Sequence, residues 1–143
     1  MSMNVVSAFR WLLSISIVLG LVGAISEFAT VPLLPETLQS YWKETWDLEA
    51  EVSASEMILG LLAILCFPVL IIGYVGLFLL KSWGRTVFIF AAIFFWLLTP
   101  LMGPFVLTSI TYMFYDLASA AMGAIIAMAY LPPIADKIDG KEA

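Results

Sequence analysis

Residues 57–80 read MILGLLAILCFPVLIIGYVGLFLL, 24 positions without a charge between Glu56 and Lys81. A helix needs about 20 apolar residues to cross the hydrocarbon of a bilayer. A stretch this long and this apolar therefore has one reading, a transmembrane span.

The rest of the chain repeats that pattern. Between Arg10 and Glu27 lie 16 uncharged residues, Trp11 to Ser26. From Thr86 to Ala135 the only charge is Asp116. That last stretch is too long for one span and is cut by Thr99-Pro100-Leu101-Met102-Gly103-Pro104. The expected spans are 6–27, 56–80, 84–101 and 105–131, with an external loop 28–55 and a tail 132–143, all one membrane domain. Arg10 and Arg85 would snorkel to the interface at the ends of the shorter spans.

Composition agrees. Of 143 residues, 63% are apolar and 12% charged, and the mean hydropathy is +1.06. Soluble domains carry about 25% charge, so a wettable exterior cannot be built. This excludes a soluble enzyme, a disordered chain and a nucleic-acid binder, and names the lipid bilayer as the first partner.

The residue inventory narrows the chemistry further. There is no histidine and a single cysteine, Cys66. Histidine-based shuttles, Ser-His or Cys-His nucleophiles and the usual zinc sets are therefore unavailable. Cys66 sits in an apolar run and behaves as a small hydrophobe. No nucleotide-cradling glycine loop is present. An aspartyl enzyme needs two embedded acids, and one is found. The expectation is a non-enzymatic protein without cofactor or metal.

Local signals mark the ends of the spans. Ser53-Ala54-Ser55-Glu56 fits a capping box. Ser82-Trp83-Gly84 breaks the chain between spans two and three, with Trp83 at headgroup depth. Pro132-Pro133 ends span four, and Pro68 removes one hydrogen bond inside span two, where a kink is expected. The hairpin Lys81-Ser82-Trp83-Gly84-Arg85 looks like the basic, tryptophan-bearing inner turn of many small four-span bacterial proteins, five residues with no chemistry attached.

Basic residues set orientation. Arg10, Lys81 and Arg85 flank one side, whereas segment 27–56 holds seven acids against Lys43. Both termini are then cytoplasmic and the acidic loop is outside. A second interpretation of the first span stays open: Arg10, the apolar run and Val22-Gly23-Ala24 also suit a cleavable signal peptide.

In the loop, Pro35-Glu36 opens a helix. Leu34, Leu38, Trp42 and Trp46 recur every four residues, opposite Glu44, Asp47 and Glu51, which describes an amphipathic interfacial helix. Its acids lack the spacing of a calcium loop and read as a solvated face.

Asp116 is the costly residue. A charged acid at the centre of a span costs about 2.5–3.5 kcal/mol on insertion scales, and no basic residue of this chain reaches it. It is either protonated or wetted by water or a mobile cation. Thr108, Tyr112, Tyr115, Asp116 and Ser119 recur at helical spacing and suggest a polar stripe from the outer end inward. Such a stripe suits either a proton or cation site or an interhelical hydrogen-bond network. Small residues recur every four positions at Ser16, Gly20 and Ala24 and at Ser119, Gly123 and Ala127, with Ala120 and Ala124 beside the latter. These seams let helices approach closely, either span one to span four or one chain to another. Spans two and three carry large aromatics instead, expected to face lipid and pack the bundle.

The sequence thus describes an all-α transmembrane four-helix bundle in a bacterial cytoplasmic membrane, a subunit or scaffold working through helix–helix association. Its partners would be copies of itself or a larger membrane complex. The alternative is a small transporter or channel component that uses Asp116.

Overall fold

A computed structural model of the chain describes residues 4–45, 53–102 and 105–140. Four of its helices are long and apolar enough to span a membrane. The protein is an all-α, multi-pass four-span bundle, as the charge-bounded apolar runs require.

Helix α1 covers Val5–Ala29. Its start is fixed by Asn4, whose side chain accepts the Val6 N–H at 3.1 Å, an N-cap of the usual Asn/Ser/Thr/Asp kind. A single 3-10 turn, Val31–Leu33, and two prolines lead to α2, Glu36–Thr45. Pro35 stands just before α2, accepting from Leu38 and Gln39. Of the apolar face of α2, Trp42 touches the chain itself, its half-buried ring meeting Phe28 edge-on at 5.7 Å, while Leu38 is exposed. Trp46, Asp47, Glu49 and Glu51 lie outside the described residues, as does the side chain of Glu56.

Helix α3 is Ala54–Phe78 and α4 is Ser82–Leu98. The start at Ala54 puts Ser53 at the cap position. α3 runs through Pro68 without interruption. Its end is tied off by Lys81 N–H donating to Gly76 and Leu80 N–H to Leu77, with Leu80 in the left-handed region at φ 55°. That conformation normally falls to glycine and costs a leucine about 1–2 kcal/mol. Tight packing just behind the turn offsets it: Gly76 and Gly84 meet backbone to backbone, so that a Cβ on either would fall inside the other's chain.

Helix α4 ends in a 3-10 turn, Thr99–Leu101. Residues 105–108 are not helical, and α5 runs Ser109–Tyr130. This shortens the span expected at 105–131. Thr108 takes the N-cap, its hydroxyl accepting the Thr111 N–H at 3.3 Å, and so stops the helix from reaching back to Phe105.

After the Pro132-Pro133 break the chain does not trail away. Helix α6, Ile134–Ile138, returns to the bundle and buries Ile134 and Ile138. Arg85 holds this segment: one guanidinium nitrogen donates to the Ala129 carbonyl at 3.2 Å and another to Asp139 at 2.8 Å. The guanidinium also lies over the Tyr130 ring at 4.7 Å. Arg10 behaves similarly, donating to the Phe78 carbonyl at 3.2 Å and lying 5.3 Å over the Phe78 ring.

The bundle is two helix pairs, α1 with α5 and α3 with α4, joined mainly at one end. The shared core contains Phe9 and Leu13 of α1, Leu77 of α3, Phe88 of α4, Ile125 and Ala129 of α5, and Ile134 and Ile138 of α6. All lie toward the end that carries Arg10, Lys81 and Arg85. Lipid tails are as apolar as these side chains, so burial alone does not favour helix over lipid here. Close packing and hydrogen bonds between helices must do so.

Candidate functional site on the two faces of α5

In its outer half, the face that α5 turns to α1 is built from hydroxyls. Thr111 is fully buried. Ser26 of α1 donates to its Oγ1 at 3.1 Å, and Thr30 lies within hydrogen-bond distance of both Thr108 (2.7 Å) and Thr111 (3.3 Å). One turn further in, the Tyr115 hydroxyl donates to Glu27 Oε2 at 2.9 Å. Gly23 makes room for that ring: a Cβ there would stand 2.8 Å from Tyr115 Cε1.

The result is a polar clamp between the outer halves of α1 and α5. Ser26 and Thr30 each keep a second partner. Ser26 shares its one hydroxyl proton between Thr111 Oγ1 and the Gly23 carbonyl at 2.8 Å, and Thr30 donates to the Ser26 carbonyl at 2.6 Å. A fully paired network of this kind fixes the rotation of one helix against another. A further hydroxyl contact, Ser16 to Tyr74 at 3.0 Å, ties α1 to α3 deeper in the bundle.

The outer face of α5 is the opposite case. Tyr112, Asp116, Ser119, Gly123 and Ala127 are all exposed on the side turned away from the bundle. Asp116 makes no hydrogen bond or ion pair with any described residue. Nothing stands within 4 Å of where a Gly123 Cβ would be. Two shallow grooves lie elsewhere on the surface. One is lined by Ala63, Ile64, Phe67, Pro68 and Phe95, the other by Ser7, Arg10, Trp11, Ser14 and Phe78.

The stripe expected from spacing is therefore divided. Thr108 and Tyr115 turn toward α1, whereas Tyr112, Asp116 and Ser119 turn outward. At about 100° per residue, the core positions Thr111, Ile125 and Ala129 lie well round the helix from Asp116. Thr108 and Tyr115 fall near the boundary between the faces. Asp116 also lies closer to the outer surface than a start at Phe105 implies. It is seven residues from Ser109, about 10 Å below the outer end of α5 and about 21 Å above Tyr130.

The first seam is divided in the same way. Ser16 is buried against Tyr74, Gly20 has open space around it and Ala24 is exposed. Spans one and four do pack together, but α1 presents Gly23, Ser26 and Thr30 to α5. Glu27, counted in the sequence as a loop acid, is the residue that spacing missed. Hydroxyl residues at Ser26 and Thr30 and at Thr108 and Thr111, near the outer ends of two spans, were the available signal.

Among the described residues no three His, Cys, Asp or Glu side chains converge as a metal set. Cys66 is buried, its thiol 3.4 Å from the Ala91 carbonyl. No family model, curated protein or solved structure matches this chain.

Proposed function

We propose that the protein is a non-enzymatic subunit or scaffold of a membrane assembly, and that the outward face of α5 is where it joins copies of itself or a larger complex. One observation carries this: an unpaired acid, Asp116, and an uncovered glycine, Gly123, occupy the same open face of a membrane-spanning helix. A bare carboxyl in hydrocarbon is costly, and a small-residue strip facing lipid forgoes the dispersion contacts that a close neighbouring helix would give. A second helix laid along α5 covers the small-residue strip, and one that carries a partner for the carboxyl removes both deficits.

The bacterial cytoplasmic membrane is the setting this role implies. Arg10, Lys81 and Arg85 gather at the end of the bundle that also holds both described chain ends, which supports cytoplasmic termini. The second reading, a small transporter or channel component, rests on the same unpaired carboxyl. It needs a path between chains, because Thr108 and Tyr115 are engaged with α1.

The test is the mass of the particle extracted from its own membrane in mild detergent. The wild-type particle should exceed one chain, and Gly123→Leu, which fills the open strip without touching the α1–α5 clamp, should lower the mass. Equal masses for the two, with helix content unchanged, would reject the proposal.

A further inference from the structure

We infer that the outward face of α5 receives a different transmembrane helix, one that carries a lysine or arginine at the depth of Asp116. This rests on the association proposed above and adds the chemistry of the partner.

Charge sets the choice. The basic residues of the spans are already committed at the far end of the bundle. Arg10 is bonded to the Phe78 carbonyl and Arg85 to Asp139 and the Ala129 carbonyl. Ala129 is 13 residues along α5 from Asp116, about 20 Å, and no arginine side chain covers that distance. Lys43, Lys81 and Lys137 lie outside the spans. Among the described residues nothing neutralises Asp116.

A second copy does not remedy this. Inserted in the same direction, it brings its own Asp116 to the same depth, and two carboxylates side by side repel unless a proton is taken up. A basic side chain on a different helix neutralises the acid directly, and the pair lifts the insertion cost of both residues.

The surroundings of Asp116 suit such a guest. Gly123 and Ala127 continue the open strip inward, so a neighbouring backbone can come close. The hydroxyls of Tyr112 and Ser119 flank Asp116 one turn out and one turn in, on the same exposed side. They supply further acceptors for an ammonium or guanidinium, which offers several N–H donors. The α1–α5 clamp holds this face in place, because Tyr115, next in sequence to Asp116, is locked to Glu27.

The experiment reconstitutes the full-length protein in phosphatidylcholine vesicles with poly-leucine helices of about 22 residues, oriented by a basic inner flank. One helix carries a single lysine about seven residues from its outer end, a second carries it in the inner third, and a third has leucine throughout. Association is read by energy transfer. The outer-third lysine helix should bind at least tenfold more tightly than the all-leucine helix, about 1.4 kcal/mol. Asp116→Asn should abolish the preference and Asp116→Glu should keep it.

Equal binding of the lysine and leucine helices would overturn the inference, as would a preference that survives Asp116→Asn. If all helices bind equally and Gly123→Leu weakens them all, the face still associates and only the basic partner is rejected. Binding of no helix, together with a single-chain mass in the native extract, would reject both. Self-association of the protein that Asp116→Asn abolishes would give the face to a second copy instead.

Discussion

Replacing Thr111 by valine tests the rotation of α5 more directly than any change to Asp116. Thr111 is fully buried, and valine keeps its branched shape while removing the hydroxyl. Two interhelical contacts vanish, from Ser26 at 3.1 Å and with Thr30 at 3.3 Å. Interhelical hydrogen bonds in membrane proteins average about 0.6 kcal/mol each, with a maximum near 1.7. Ser26 and Thr30 keep their bonds to backbone carbonyls at 2.8 Å and 2.6 Å, so no group is left stranded. The expected loss is therefore about 1 kcal/mol, not the larger cost of an orphaned buried hydroxyl. The assay is equilibrium unfolding from mixed micelles by dodecyl sulfate, followed by far-ultraviolet circular dichroism. Asp116→Leu, one and a half turns along on the open face, is the control and should stay within about 0.5 kcal/mol of wild type. An unaffected Thr111→Val beside a destabilised Asp116→Leu would mean that α5 is turned the other way, with the acid inside, and the site described above would fall with it.

Two further outcomes follow from the packing. Gly84→Val drives a side chain into the Gly76 backbone, which cannot step aside. It should cost about 3 kcal/mol, the upper end of overpacking penalties, in the same unfolding assay, whereas Gly20→Val, with nothing within 4 Å, should be tolerated. Orientation is open to chemical labelling in a Cys66→Ala background. A membrane-impermeant maleimide applied to intact cells should modify Ser40→Cys in α2 and spare Ser82→Cys at the opposite turn; the reverse pattern would invert the assigned topology.

The spans were legible because charge is so scarce. Glu56 and Lys81 bracket α3 almost to the residue, and Arg10 with Glu27 brackets α1 nearly as well. The start of α5 was less legible. Phe105, Val106 and Leu107 are as apolar as any span, and only the capping ability of Thr108 distinguishes non-helical chain from helix there.

Rotation was the hardest property to read. Along α5 both faces are rich in alanine, and lipid and protein interior reward the same apolar side chains. The composition around Ile125 therefore gives no sign that it is core while Ala127 is not. Tyr115 and Asp116 are neighbours in sequence but about 100° apart on the helix, and a stripe drawn through both had to straddle the boundary. Small residues misled in a related way. Spacing found Gly20, yet the close approach falls at Gly23, because the tyrosine that needs room is three residues further along the seam.

The core at the inner end joins Phe9 to Ile134 and Ile138, nearly the full length of the chain apart. During synthesis α3 and α4 can close on each other as soon as both are made, since one short turn connects them. α1 has no such neighbour in sequence. Ser26, Glu27 and Thr30 must wait in the bilayer, their hydroxyls and carboxyl unmatched by Thr108, Thr111 and Tyr115, until the last span arrives. The outer half of α1 is thus satisfied only once α5 has been made.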